Sequence, residues 1–272
     1  MDSTGKLVRL SRLLPSGRTV MVPFDDALIS GPHAGLLDTV GRAGEVAAGG
    51  ADAILGFRML HERCVRQGLS MPFLVNLTAS TVLSAHTRKV AVGSVEAALR
   101  AGCDGVAVHV NVTDRDEALM LSTLGAVSDS CQQWGMPLLA IMYPRRAAAD
   151  GTDDNYLQRR ASDRPGYATL VRHAARIAVE LGADIVKTQY TGDPESFATV
   201  VEAAMGVPVV IAGGPRTSIR QALDNAHSAV AAGAAGVCFG RQTYNRADVT
   251  AFVRMLRLVV RDGRDPADLA PE

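Results

Sequence analysis

Lysine is nearly absent from this 272-residue chain: Lys6, Lys89 and Lys187 stand against 25 arginines. Where arginine is the habitual surface cation, a lysine in an apolar setting stands out. Arginine cannot replace it in imine chemistry, because the guanidinium stays protonated. Net charge is absent too, with 28 basic and 28 acidic residues. That balance argues against the basic face that nucleic-acid binding needs. No apolar run approaches the roughly 20 residues that span a bilayer. The charged, mixed segment from Met1 to Arg12 lacks the apolar stretch of a signal peptide, so the cytoplasm is the expected compartment. The four cysteines (Cys64, Cys103, Cys131, Cys238) lie far apart with no C-x-x-C pair. They read as reduced, mostly buried thiols and argue against a zinc site, so no metal is expected. No Gly-x-Gly-x-x-Gly follows the first strand, and there is no P-loop, linker or low-complexity segment.

What remains is a regular alternation. Eight short apolar runs recur: Thr19–Phe24, Asp52–Gly56, Pro72–Asn76, Gly105–His109, Pro137–Met142, Asp184–Lys187, Pro208–Ala212 and Gly236–Phe239. Each is nearly continuous in apolar residues rather than alternating, as expected for strands buried on both faces of a parallel sheet. The segments between them predict helices. Pro165–Gly182 is the clearest, with proline at its start and glycine at its end. Others are Ser94–Gly102 with Ser94 as N-cap, Asp116–Trp134, Ser196–Met205, Ser218–Gly233 and Asp248–Arg261. Gly50, Gly102, Gly182 and Gly233 fit helix ends that turn into the next strand through left-handed backbone. Eight βα units without a nucleotide fingerprint favour a (β/α)8 TIM barrel, and residues 1–272 are expected to form one such domain. The polar tail after Arg261 is expected to fray or to pack loosely. The long polar connection from Arg145 to Arg164 reads as a lid or binding loop, or else as a surface insertion or subunit contact.

In such barrels the active site lies at the carboxyl ends of the strands. Lys187 ends the sixth run. A lysine inside a barrel is expected to lose its proton, because burial disfavours the charged form. The neutral amine can then attack a ketone and form an imine, an electron sink. The competing reading is a salt-bridged structural lysine. Asp25 ends the first run and Tyr143 the fifth. With Lys187 they supply an imine former and two acid/base groups, although Asp25 alone fits a loop cap and Tyr143 alone a packing residue. Gly213, Gly214, Gly240 and Arg241 follow the last two strands, where backbone N–H groups can approach phosphate oxygens and an arginine can add a charge-assisted contact; ordinary barrel turns are the alternative. Asn76 and His109 end the third and fourth runs and fit satisfied core residues as well as site residues.

These segments resemble the DhnA-type class I aldolases almost end to end. The resemblance rests on Gly5–Leu10, on Val186-Lys187-Thr188-Gln189-Tyr190-Thr191-Gly192-Asp193, on Val209–Pro215, on Ala231–Gly236 running to Phe239-Gly240-Arg241, and on Met142-Tyr143-Pro144-Arg145. It implies Lys187 as imine former and Asp25 and Tyr143 as acid/base groups. It also implies a phosphorylated ketone donor such as dihydroxyacetone phosphate, no cofactor or metal, and a ring-like homo-oligomer such as a decamer. Two departures lie at the mouth. Asp25-Asp26-Ala27 stands where the family usually has Asp-His-Gly, and Arg145-Arg146 stands where glycine commonly follows the first arginine. One family branch joins dihydroxyacetone phosphate to aspartate semialdehyde, giving a seven-carbon amino-keto acid phosphate of aminohydroxybenzoate-type secondary metabolism. Asp26 suits that acceptor's ammonium and Arg145 or Arg146 its carboxylate. Competing readings are a fructose-1,6-bisphosphate aldolase, an acyl transferase using coenzyme A, a non-covalent isomerase and an inactive binding barrel.

Overall fold

The computed structural model of the chain describes residues 3–84, 86–147 and 156–270. Eight parallel strands close into a barrel in chain order: β1 (Thr19–Pro23), β2 (Ala53–Gly56), β3 (Phe73–Asn76), β4 (Gly105–Val112), β5 (Leu138–Pro144), β6 (Ile185–Gln189), β7 (Val209–Ala212) and β8 (Gly236–Cys238). Closure pairs Thr19 of β1 with Gly236 of β8. A Cβ on Gly236 would lie 1.9 Å from the Thr19 carbonyl oxygen, so no side chain fits at the seam. The strands are valine- and isoleucine-rich and almost wholly buried, because helices cover them outside and the barrel interior covers them inside.

Two apolar layers result. Between strands and helices lie residues such as Val22, Val108, Val186, Val171 and Phe252. Inside the barrel lie Met21, Leu55, Leu74, Leu139, Ile141, Ile185 and Val210. Leu13 and Leu14 join this inner layer from the helix Thr4–Leu13, which closes the foot of the barrel. That helix starts on Ser3, whose side chain accepts from the Lys6 N–H, and Lys6 Nζ lies 2.7 Å from Asp184 Oδ1.

The helices named from sequence are present, with ends shifted by at most two residues: Val95–Arg100, Glu117–Trp134, Arg164–Glu180, Pro194–Ala203, Ile219–Ala231 and Val249–Asp262. Ser94 accepts from Ala97 N–H as the expected N-cap, and the four helix-end glycines have φ between 79° and 100°. Two expectations are corrected. Strand β4 does not end at His109 but runs on to Val112, because Asn111 and Val112 pair with Tyr143 and Pro144; the polar His109 and Asn111 break the apolar pattern without breaking the strand. The C-terminal tail is not frayed through its described part. Asp265 caps a short helix, Pro266–Leu269, whose first residue is buried. The connection after Arg145 includes a helix, Tyr156–Ser162, and the rest of the expected loop from 148 to 155 lies outside the described residues.

Candidate active site

At the carboxyl end of the barrel one cavity is lined by Asp25, Asp26, Tyr143, Arg145, Lys187, Gly213, Gly214, Gly240 and Arg241. All nine residues picked from the sequence therefore meet in one place. Lys187 lies in β6, two residues beyond Ile185, so both side chains point inward and Lys187 sits roughly 6–7 Å nearer the mouth. Its register partners are Ile141 of β5 and Val210 of β7, both inner-layer residues. The ammonium thus rises from an apolar floor, with only 5% of the residue exposed.

The electrostatics correct one expectation. Burial alone depresses the Lys187 pKa, but Cys238, Tyr143 and Asp25 surround the amine, and Cys238 also hydrogen-bonds it. The acidic groups win, and the net shift is upward. Lys187 is therefore held as an ammonium in the unliganded site, contrary to the neutral amine expected from burial. Imine formation then requires a neighbour to take its proton. Burial in turn pushes the Cys238 thiol up, while the Lys187 ammonium beside it pulls the other way.

Asp25 is buried and fixed. It accepts from Asn76 Nδ2 at 2.8 Å. Asn76 Oδ1 in turn accepts from the N–H and the hydroxyl of Thr78, both at 3.0 Å. Thr78 Oγ1 then accepts from the His109 N–H at 2.8 Å. His109 Nε2 lies 3.0 Å from Asn111 Oδ1, while Asn111 Nδ2 donates to the Thr87 carbonyl. Since that amide oxygen only accepts, His109 carries its proton on Nε2. Its pKa lies well below the usual range, from burial first and then from Lys89, Arg145 and Lys187, so the imidazole is neutral. Tyr143 packs edge-on against it, with ring centroids 4.9 Å apart. A chain of satisfied polar groups thus runs from Asp25 to the ring that supports Tyr143. Asn76 and His109 were visible in the sequence only as ambiguous strand residues. Thr78 and Asn111 carried no signal there.

The opposite wall is backbone-rich. Gly213 follows β7, and a Cβ there would lie 2.8 Å from Gln242 and 3.0 Å from Phe239. Gly214 adopts φ 64°. Gln242, fully buried, donates to the carbonyls of Gly213 at 3.1 Å and Pro215 at 2.5 Å, and its Oε1 accepts from Thr217 N–H at 3.2 Å and from Arg246 at 3.0 Å. One side chain thus sets the curve of the Gly213–Thr217 loop, and nothing in the sequence marked it. Gly240 starts the one-turn helix Arg241–Tyr244, which carries the exposed Arg241 to the rim.

Asp26 is already engaged: it accepts from Tyr244 hydroxyl at 3.0 Å and Ser30 hydroxyl at 3.1 Å, and His33 Nε2 lies 3.6 Å away. Arg145, half-buried, reaches His86 Nε2 at 2.9 Å. All four cysteines are free and buried, as expected. Among the described residues no helix is long and apolar enough to cross a membrane, and no cluster of metal-ligating side chains occurs.

A family comparison decides what this barrel is. The profile described as DeoC/LacD family aldolase matches residues 19–246. The chain belongs to this aldolase family. Among its relatives, the 2-amino-3,7-dideoxy-D-threo-hept-6-ulosonate synthase of Halobacterium salinarum is 36% identical over 98% of this chain and 95% of its own length. The 2-amino-4,5-dihydroxy-6-oxo-7-(phosphonooxy)heptanoate synthase of Streptomyces griseus is also 36% identical, over 93% of this chain and 89% of its own. A solved archaeal fructose-1,6-bisphosphate aldolase, with its catalytic lysine covalently bound to the carbinolamine intermediate, superposes with a TM-score of 0.81 at 26% identity, covering 94% of this chain and 99% of the other. The DeoC/LacD aldolase described here is thus an enzyme of carbon–carbon bond chemistry on a (β/α)8 barrel, the fold expected from its sequence.

Proposed function

We propose that this aldolase works through a Schiff base on Lys187, joining a donor of the dihydroxyacetone phosphate type to an amino aldehyde of the aspartate semialdehyde type. The observation that carries the reading is a buried Lys187 amine, on an apolar floor, facing Asp25, Tyr143 and Cys238 beneath a polar cavity. A seven-carbon 2-amino acid with its ketone at C6 and hydroxyls at C4 and C5 divides at the C4–C5 bond. The halves are a four-carbon amino-acid aldehyde and a three-carbon hydroxyketone, which are the two proposed substrates.

In this reading the donor phosphate docks against the Gly213-Gly214 and Gly240-Arg241 backbone, where Gly213 lets the loop pack directly on Gln242 and Phe239. Asp25 takes a proton from the Lys187 ammonium, the freed amine attacks the donor ketone, and Asp25 returns the proton to the departing hydroxyl, so that water leaves, the protonated imine forms and the carboxylate is restored. Asp25 or Tyr143 removes the proton from the adjacent carbon to give the enamine. The enamine attacks the acceptor aldehyde, and the same pair protonates the new alkoxide. Water then releases the product and restores the amine. Asp26 and Arg145 meet the acceptor's ammonium and carboxylate. The barrel acts as one domain across residues 1–272, in a ring-like homo-oligomer in the cytoplasm.

Fructose-1,6-bisphosphate cleavage is the second reading, favoured by the superposition on the archaeal enzyme. The test is kinetic. Purified enzyme is given dihydroxyacetone phosphate with aspartate semialdehyde or glyceraldehyde 3-phosphate, side by side. Faster consumption of aspartate semialdehyde supports the proposal, and brisk cleavage of fructose 1,6-bisphosphate with no use of aspartate semialdehyde refutes it. The unphosphorylated donor hydroxyacetone, run in parallel, reports whether a terminal phosphate is required.

A further inference from the structure

Arg246 follows the one-turn helix Arg241–Tyr244 and is only 6% exposed. Its Nη2 donates to Gln242 Oε1 at 3.0 Å and reaches the carbonyls of Thr217 at 3.3 Å and Ser218 at 3.5 Å. Its guanidinium rests over the Phe252 ring, 4.1 Å from the centroid. All of these partners are uncharged. Its Nε is buried with no partner among the described residues. Asp248, two residues on, caps the next helix instead, accepting from Ala251 N–H at 2.8 Å. Burial first, and then the like charge of Arg216, lower the Arg246 pKa to about 10, so the group is still charged at neutral pH. Other deeply set cations differ: Lys6 Nζ lies 2.7 Å from Asp184 Oδ1 and Arg261 Nη2 2.5 Å from Asp52 Oδ1. Burying a cation is costly unless an anion meets it. Among the described residues no carboxylate meets Arg246.

The place of this charge is specific. Gln242 joins Arg246 to the glycine wall of the cavity: its Oε1 accepts from Arg246, and its Nε2 donates to the carbonyls of Gly213 at 3.1 Å and Pro215 at 2.5 Å. A carbonyl that accepts a hydrogen bond makes the N–H of its own peptide a stronger donor, and successive bonds polarise one another. The peptides polarised here carry the N–H groups of Gly214 and Arg216, and Gly214 lines the cavity. Arg216, whose Nη1 donates to the Asn245 carbonyl at 2.8 Å, and Arg241, which lines the cavity, add charge of the same sign. The β7–β8 wall is therefore backed by a cation that the protein itself leaves without an anion.

We propose that Arg246, acting through Gln242, is a positioning residue for the donor's phosphate: the phosphoryl group on the Gly213-Gly214 wall is the anion that Arg246 lacks within the protein, and the enzyme selects phosphorylated ketone donors partly by a charge that does not touch them. The proposal deepens the aldolase reading above and rests on its placement of the donor phosphate; its new content is the part assigned to Arg246 and Gln242.

Borohydride trapping of the donor imine, followed against donor concentration, tests it without an acceptor. It gives half-saturating concentrations for dihydroxyacetone phosphate and for unphosphorylated hydroxyacetone. In the wild type the second exceeds the first. Arg246→Met keeps a stem over Phe252 and removes the charge, and lowers the ratio of the two about tenfold by raising the dihydroxyacetone phosphate required. Arg246→Lys keeps the charge but loses the planar fork, and recovers most of the ratio. A role confined to the shape of the loop makes Lys as poor as Met. An unaltered ratio in Arg246→Met, or an Arg246→Lys no better than it, overturns the proposal. If Arg246→Met fails to fold, Gln242→Met and Gln242→Glu decide. Both remove the donor to the two carbonyls, but only glutamate neutralises Arg246, so a larger loss in Gln242→Glu is expected and an equal loss overturns the proposal. A wild-type ratio of one contradicts the placement of the donor phosphate, and the proposal with it. Should no imine form on Lys187, the Schiff-base mechanism fails separately. Calorimetric titration with inorganic phosphate then reads the wall alone: binding about tenfold weaker in Arg246→Met is expected, and equal or undetectable binding in wild type and variant contradicts the proposal.

Discussion

At the foot of the barrel Lys6 meets Asp184, the residue just before β6; at its mouth Lys187, within β6, faces Asp25, Tyr143 and Cys238. Both lysines are about 95% buried, and both have carboxylate neighbours. Their surroundings differ in one respect. Lys6 lies under a helix, with Gln132 Oε1 3.4 Å from its Nζ and Asp184 also accepting from Leu138 N–H at 2.8 Å, so that ion pair is knitted into the fold. Lys187 opens onto a cavity. A buried lysine is structural where its partners fill the space around it and available for chemistry where space is left.

The comparison can be broken most sharply at Lys187. Lys187→Arg preserves charge and burial but cannot form an imine, so turnover should fall by at least about 10⁴-fold while Tm stays close to that of the wild type. Comparable turnover in that variant would contradict the account. Tyr143→Phe should lower kcat by about 10²–10⁴-fold and leave a donor imine detectable by mass spectrometry, because it removes proton transfer and not the electrophile. Lys6→Met should do the reverse. Leaving Asp184 without its cation should cost about 3–5 kcal/mol in urea unfolding, with kcat per folded molecule near that of the wild type. A loss of kcat without a loss of stability would erase the distinction between the two ends of the barrel.

The smallest effect concerns pH. Burial, first among the causes, pushes the Cys103 and Cys131 thiols up to about 12. The folded state then holds protons that the unfolded state releases above roughly pH 8.5–9. Stability from these groups is complete below that range and declines as pH rises through it towards the folded values. Tm should drop between pH 9 and pH 10.5, less so in a Cys103→Ala Cys131→Ala variant, and native thiols at pH 8 should react with a chromogenic disulfide far more slowly than in urea.

The barrel was legible in the sequence because its strands are short, apolar and evenly spaced, and because Gly50, Gly102, Gly182 and Gly233 mark the turns between helix and strand. Lys187 was legible through lysine scarcity, a signal that also pointed at Lys6 and Lys89, all three of which proved buried. What the sequence could not convey was arrangement. Whether a buried lysine is neutral depends on its neighbours, and Cys238, Tyr143 and Asp25 come from three other strands or their ends. Likewise Asn76, Thr78 and Asn111 are ordinary polar residues until the parallel register aligns them into one hydrogen-bonded run. Gln242 looks like any helix residue, and only the close approach of the Gly213–Thr217 loop reveals its part.

The central claim is that Lys187, and neither Lys6 nor Lys89, is the amine that bonds to substrate. Incubation of the purified enzyme with dihydroxyacetone phosphate and sodium borohydride, followed by peptide mapping, tests it directly. The account predicts one reduced adduct, on the peptide containing Lys187, and none in Lys187→Arg. A folded enzyme that gives no adduct, or carries it on Lys89, would contradict it.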